Sequence, residues 1–293
     1  MPWCAAPAGP SASPRPATSR KRAAASSCRP CWRTAPCSSS SWIPGASIPA
    51  WATPTASSSG WKPGWDRKAE HPVLVPDLQL PFPLAWGFST RLDLPEDLPA
   101  RRLDQVHRCG IVEASEAVIE GDGLWTTRPG VRIGVRVADC VPVLLAGPLT
   151  DGSPWVAALH AGWRGATGHG DPGPGGGILR RGVARYCALG GRPADLVWAF
   201  GPAILACHFE VGGEVIAAAR QDPAWHEGLR SEGPSGKPHL DLHGFLRVQA
   251  LDLGLDTAKD GSVALCTVCR PDLLYSYRRG ETTGRQWGWI EIR

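Results

Sequence analysis

The chain has 293 residues with 31 Lys and Arg against 27 Asp and Glu, and its 10 Cys, 14 Trp, 29 Pro and 35 Gly are unevenly placed. Residues 1–68 hold nine basic residues and one acid, Asp66, for a charge of +8, whereas residues 69–293 hold 22 basic and 26 acidic residues, for −4. The mildly acidic larger part argues against nucleic acid as a partner, and no run approaches the roughly 18 apolar residues of a membrane-spanning helix.

Residues 1–68 contain no Leu, Val or Phe and only two Ile, yet hold six of the 14 Trp among many Ser, Pro and Ala. Such a segment cannot bury enough apolar area to offset chain entropy. It reads as a disordered, low-complexity extension, or as a stretch added by a translation start assigned too early. Its acid-poor run ATSRKRAAASSCR has the composition of a mitochondrial transit peptide, but no continuous apolar stretch of a secretory signal follows the charges. Cys28 and Cys31 have CxxC spacing without a second pair at finger-like distance, so no zinc site is expected there. Residues 69–293 are the working part, long enough for one sizeable core.

Within it, VRIGVRVADC alternates Val131, Ile133, Val135 and Val137 against Arg132, Gly134 and Arg136, which predicts a strand with one buried face. CVPVLLAG follows as an apolar run, and WVAALH (155–160) and DLVWAF (195–200) predict further buried strands. GHGDPGPGGG, residues 168–177, is a surface loop by composition. It lacks the spacing of a phosphate-binding P-loop. ILRRGVARYCAL and LHGFLRVQALDL place apolar residues at helical intervals, SVALCTVC predicts a strand, and RQWGWIEIR closes the chain with another. Helices and strands mix without a βαβ rhythm, so the fold class is α+β, a mixed α/β domain. Six Cys scattered through apolar stretches fit free thiols in a reducing compartment, and hence a cytoplasmic protein. Cys266 and Cys269 read as packed thiols, with a redox or second-metal role as the alternative.

Three neighbourhoods join a potential metal ligand to small or apolar residues at a predicted strand end: LDQVHR around His107, VADCVP around Cys140 and ALHAGWRG around His160. Two imidazoles and a thiolate form a three-donor set for Zn²⁺, with bonds of about 2.1 and 2.3 Å and a fourth position left open, the stoichiometry of a catalytic site. The gaps of 33 and 20 residues force nothing together, so core histidines and a buried free thiol are the competing reading.

LAWGFSTR, DQVH, EGDGLWTT, VADCVPVLL, ALHAGWRG, FGPAI with FEVGGEV, and YSYRRGETTGR occur in that order. Together, over roughly residues 84–293, they resemble the YfiH-like family. Its members are often labelled laccase-domain or polyphenol oxidase proteins and are understood as purine nucleoside phosphorylases with adenosine deaminase activity. The resemblance implies a YfiH-like mixed α/β sandwich with zinc held by His107, Cys140 and His160. It also implies Arg91 and Arg164 as clamps for phosphate or ribose oxygens, since a guanidinium suits bidentate contact. The implied substrates are purine nucleosides (adenosine, inosine, methylthioadenosine) and inorganic phosphate. Asp122 and Asp139 are the nearest candidate acids for proton transfer; their alternative role is to cap turns or orient the ligand imidazoles.

The chain departs from the family pattern in four places. Trp86 stands where a His commonly precedes GFSTR, so that imidazole's role is absent or replaced by stacking. Phe209 replaces a tyrosine, Leu246 replaces an asparagine, and GHGDPGPGG is inserted after HAGWRG. Three other functions compete. A copper-dependent polyphenol oxidase is disfavoured because the eight His include no HxH pair. A hydrolase editing peptidoglycan precursors would use the same pocket. A structural zinc protein would need a fourth ligand, for which Cys207 or His208 is the nearest candidate.

Overall fold

Burial of both faces of three adjacent strands explains the architecture. In the computed structural model the described residues are Leu74, 78–92, 100–171 and 176–293, and they belong to one compact unit. The expectations for residues 1–68, and those for residues 172–175 of the Gly-rich loop, lie outside the described residues.

The strands are β1 (Leu84–Phe88), β2 (Leu103–Asp104), β3 (Ile111–Glu113), β4 (Ile119–Glu120), β5 (Gly123–Thr126), β6 (Ile133–Val137), β7 (Val141–Pro148), β8 (Pro154–Ala161), β9 (Val197–Phe200), β10 (Arg230–Glu232), β11 (Pro238–Leu240) and β12 (Gln286–Ile292). The α-helices are α1 (Trp163–Thr167), α2 (Ile178–Ala188), α3 (Gly213–Ala219) and α4 (Leu242–Asp252). A five-stranded sheet has the order β3-β5-β8-β7-β9, and a three-stranded sheet the order β1-β12-β6. Pairing is antiparallel throughout both except for β3 with β5.

Val141, Val143 and Leu145 of β7, Trp155, Ala157 and Leu159 of β8, and Trp198 and Phe200 of β9 share one core with Leu179 and Val183 of α2 and Phe245 and Leu246 of α4. The intervening Leu144, Ala146, Val156, Ala158, Val197 and Ala199 share a second core with Phe88, Ile133, Val135 and Ile290 of the smaller sheet. The layers are therefore helices, five-stranded sheet and three-stranded sheet. Central strands buried on both faces read as unbroken apolar runs, whereas β6 exposes Arg136 between buried Val135 and Val137, although Gly134, expected on the same open face, is covered by Trp287. Each large aliphatic or Phe side chain wholly removed from water here contributes about 1.5–3 kcal/mol before entropy is counted. Gly177 closes the Gly-rich loop because a Cβ there would lie 1.9 Å from the Ala166 carbonyl oxygen.

The α+β sandwich agrees with expectation, and α2 and α4 fall within the helical segments predicted. One strand does not form. Residues 262–269 run beside the chain after β9, bonding through Val263 N–H to Phe200 O (2.7 Å) and Ala203 N–H to Leu265 O (3.1 Å), with a single bridge between Ala203 and Cys266. Pro202 supplies no N–H at the point where a ladder would continue. The chain then turns, with Arg270 N–H donating to Cys266 O (3.1 Å). The seven-residue α3 is too short to declare itself by periodicity. Among the described residues no helix is long and apolar enough to cross a membrane.

Burial of His243 on α4, edge-on to Phe200 at 5.5 Å, lowers its pKa to about 4, with Arg247 adding to the effect. The unfolded chain would take up that proton near pH 6.5, so this contribution to stability is complete above 6.5 and is lost as pH falls from 6.5 towards 4. Chemical denaturation should show a loss of about 3 kcal/mol across that window. His243→Gln should remove most of this slope, and a slope unchanged in the variant would assign it to other groups.

Candidate metal centre

Sheet register brings together ligands that the sequence keeps apart. Antiparallel pairing of β7 with β8 sets Pro142 opposite His160 and Val141 opposite Ala161, so Cys140, immediately before β7, lies against the end of β8. Gly162 follows there, and a Cβ on it would stand 3.1 Å from Cys140 Sγ and 3.4 Å from His107 Cδ2. On the other side of β8, β5 pairs Gly123 with Leu159, and His160 N–H donates to Asp122 O at 2.7 Å.

The Asp122 carboxylate is fully buried and accepts three hydrogen bonds. His160 Nδ1–H donates to its Oδ1 (2.8 Å), His107 N–H to the same oxygen (2.9 Å) and Arg108 N–H to Oδ2 (2.6 Å). These bonds anchor the His107 turn to the strand that carries His160. They also hold His107 in the left-handed region, at φ 60°, where a non-glycine residue is strained.

As a result, the ligand atoms of His107, Cys140 and His160 all lie within 4.8 Å of one another. The two rings meet edge to face, with centroids 4.7 Å apart. His160 is buried, Cys140 half-buried and His107 exposed, so the trio opens to solvent on the His107 side. With Nδ1 of His160 committed to Asp122, its Nε2 is the atom left to ligate, the arrangement in which a carboxylate fixes a ligand's tautomer. Among the described residues no fourth His, Cys, Asp or Glu joins this group. The donor set fits a divalent ion bound by two imidazoles and a thiolate.

Burial opposes charge on both buried donors, but their mutual attraction prevails. The Cys140 thiol is lowered to about 6 by the His160 and His107 imidazoles, and His160 is raised to about 9 by the Cys140 thiolate and Asp122. Without an ion the pair is thiolate and imidazolium, and an ion entering the site displaces the His160 proton.

Asp139 also has φ in the left-handed region, 87°. The Thr267 hydroxyl donates to its Oδ1, Arg278 N–H to Oδ2 (2.7 Å), and Ile204 N–H to its backbone oxygen (2.9 Å). Both carboxylates thus accept hydrogen bonds from the turns that carry the candidate ligands.

The two arginines differ. Arg164 is exposed, with its guanidinium over the Trp163 ring at 4.4 Å. Arg91 pairs with Glu281 and lies over Tyr275 at 4.8 Å. Trp86 is buried in the core between the two sheets, so it does not offer a stacking surface in place of the missing imidazole. Phe209 lies beneath the Arg278 guanidinium, and Leu246 is repacked in the helix-side core. Cys207 and His208 do not approach the trio; they fall in a separate group with Cys266 and Cys269. The role of Asp171 was not visible in the sequence. It accepts Cys109 N–H (3.2 Å) and a two-pronged contact from Arg181, which ties the inserted loop to the turn after His107.

The family described as multi-copper polyphenol oxidoreductase laccase matches residues 88–293. The chain belongs to this YfiH-like family. It is 36% identical over 194 residues to a purine nucleoside phosphorylase of Deinococcus radiodurans, covering 65% of this chain and 69% of that relative. It is 32% identical over 186 residues to adenosine deaminase RL5 of an unknown prokaryotic organism, covering 62% and 67%. The YfiH fold itself is seen in the crystal structure of Bacillus licheniformis hypothetical protein YfiH, which superposes with a TM-score of 0.62 at 24% identity, over 72% of this chain and 93% of that one.

Cys140→Ala should lower the zinc content of the saturated, desalted protein by one equivalent per chain; unchanged content would remove Cys140 from the ligand set. Asp122→Asn keeps the shape but loses the charge that orients His160. Chelator competition should show metal affinity at the trio reduced about 10–100-fold.

Proposed function

We propose that the chain is a zinc-dependent purine nucleoside phosphorylase with adenosine deaminase activity. The observation that carries this reading is the convergence of His107, Cys140 and His160, without a fourth donor and open on the His107 side. The names of the Deinococcus and RL5 relatives support the two reactions. A zinc ion held by these three residues would supply Lewis-acid polarisation at one free coordination position.

The chain's own residues do the remaining work. Asp122 orients His160 and fixes the His107 turn, and Asp139 fixes the turn before Cys140, so both act as positioning residues. Arg164 presents an exposed guanidinium beside the trio's strand end, suited to a phosphate or ribose oxygen. Arg91 has part of its charge neutralised by Glu281 and is less suited than Arg164 to holding an anion. In phosphorolysis a phosphate oxygen bonds to the anomeric carbon, the glycosidic carbon–nitrogen bond breaks, and the purine leaves with a proton. Positive charge develops on the sugar, so an anion held by Arg164 favours the transition state.

Zinc is preferred to copper because the two ligand groups among the described residues contain three His and four Cys in all, not the His-rich clusters that multicopper oxidation needs. The open trio also favours an enzyme over a structural zinc protein, whose coordination would be closed.

Incubation of the zinc-loaded protein with adenosine and phosphate should yield adenine by phosphorolysis, inosine by deamination and hypoxanthine by both. Unchanged nucleoside with metal fully bound would overturn the reading. Arg164→Ala should raise KM for phosphate about tenfold or more, the loss of one charge-assisted hydrogen bond.

A further inference from the structure

Four side chains from two separate loops converge away from the trio. Cys207 and His208 follow β9, and Cys266 and Cys269 occupy the turn that was expected to be a strand. Their ligand atoms all lie within 4.8 Å of one another. His208 Nδ1 is 3.3 Å from Cys207 Sγ, 3.4 Å from Cys269 Sγ and 3.7 Å from Cys266 Sγ, and Cys207 and Cys269 Sγ are 3.8 Å apart.

Those separations carry a specific geometry. Zinc–sulfur bonds of about 2.3 Å and a zinc–nitrogen bond of about 2.1 Å at tetrahedral angles put sulfurs about 3.8 Å apart and sulfur about 3.6 Å from nitrogen. The observed distances scatter around these values. Thiols packed as small hydrophobes have no reason to surround an imidazole nitrogen. No disulfide joins the two loops through Cys207 and Cys269, whose sulfurs lie 3.8 Å apart against a bonding distance of about 2.05 Å. Three Cys and one His, two of the Cys in CxxC spacing, make the Cys₃His donor set of structural zinc sites, here split between two loops.

We infer that Cys207, His208, Cys266 and Cys269 form a second metal site, closed by four protein donors and suited to a tetrahedral zinc ion. Its role is structural. Both loops it joins are bonded to Asp139: Ile204 N–H donates to the Asp139 backbone oxygen and the Thr267 hydroxyl to its carboxylate. Arg278 spans the same region, donating from its backbone to Asp139 and from its guanidinium to His208 O (3.3 Å). The ion therefore staples the loops that hold Asp139 in its left-handed conformation, one residue before Cys140. This site is independent of the reaction proposed above.

Zinc counting on the full chain tests it, with Cys140→Ala used to empty the trio. That variant should keep one zinc per chain, and X-ray absorption should find three sulfurs near 2.3 Å and one nitrogen near 2.1 Å. Adding Cys269→Ser should abolish or strongly weaken the retained zinc. Loss of all zinc in Cys140→Ala, a shell of only nitrogen and oxygen, or tight zinc with unchanged sulfur in the double variant would each overturn the site. Should the double variant not fold, alkylation mapped by mass spectrometry on the unmodified sequence decides. Cys207 and Cys269 should be protected until a strong chelator is added, and equal labelling before and after chelation would reject the proposal.

Discussion

The candidate metal centre depends on one buried carboxylate. Asp122 is fully removed from solvent, and its two oxygens satisfy an imidazole N–H and two backbone N–H groups. A buried charge left without such partners would cost several kcal/mol, so the bonds are required for the fold to tolerate the group at all. Because one donor belongs to the His160 side chain and the others to the turn at His107, satisfying the charge also aligns two ligands. The third, Cys140, is brought to the end of β8 by the β7–β8 register, and the contacts of Asp139 hold the turn just before it.

The layered core was legible because β7, β8 and β9 are buried on both faces, which removes polar residues and leaves the apolar runs beginning CVPVLL, WVAALH and LVWAF. The lengths of α2 and α4 were legible for a related reason: each has one face on the core. SVALCTVC misled because its apolar content is that of a strand, while the irregular partner chain at Pro202 prevents a ladder. Composition reports burial, and this segment buries Val263, Cys266 and Thr267 without being regular.

The trio could be nominated but not assembled from the sequence. Residue types and family resemblance pointed to His107, Cys140 and His160, yet nothing in gaps of 33 and 20 residues specifies that β5, β8 and β7 lie side by side in that order. The role of Asp122 was legible only as one of two alternatives, because proton transfer and ligand orientation require the same residue type. What the structure adds is the set of three donors on its oxygens, from His160, His107 and Arg108. The Cys207, His208, Cys266 and Cys269 group was harder still, since Cys207 or His208 read only as the nearest fourth ligand of a structural zinc protein, and Cys266 and Cys269 as packed thiols with a second-metal role as the alternative.

The strained backbone positions show how these features act together. His107 and Asp139 are the only non-glycine residues with positive φ among the described residues, and each adjoins or provides a ligand of the trio. Left-handed backbone costs such residues of the order of 1 kcal/mol, so each conformation persists only where other bonds determine it. For His107 the determining bonds come from Asp122, inside a rigid sheet. For Asp139 they come from Thr267, Arg278 and Ile204, all outside the sheets. A loop has no ladder to keep it in register, so the Cys140 side of the centre needs constraint from outside the sheet. Cys207, His208, Cys266 and Cys269 converge on the segments that carry two of those bonds, where a bound ion would add such constraint.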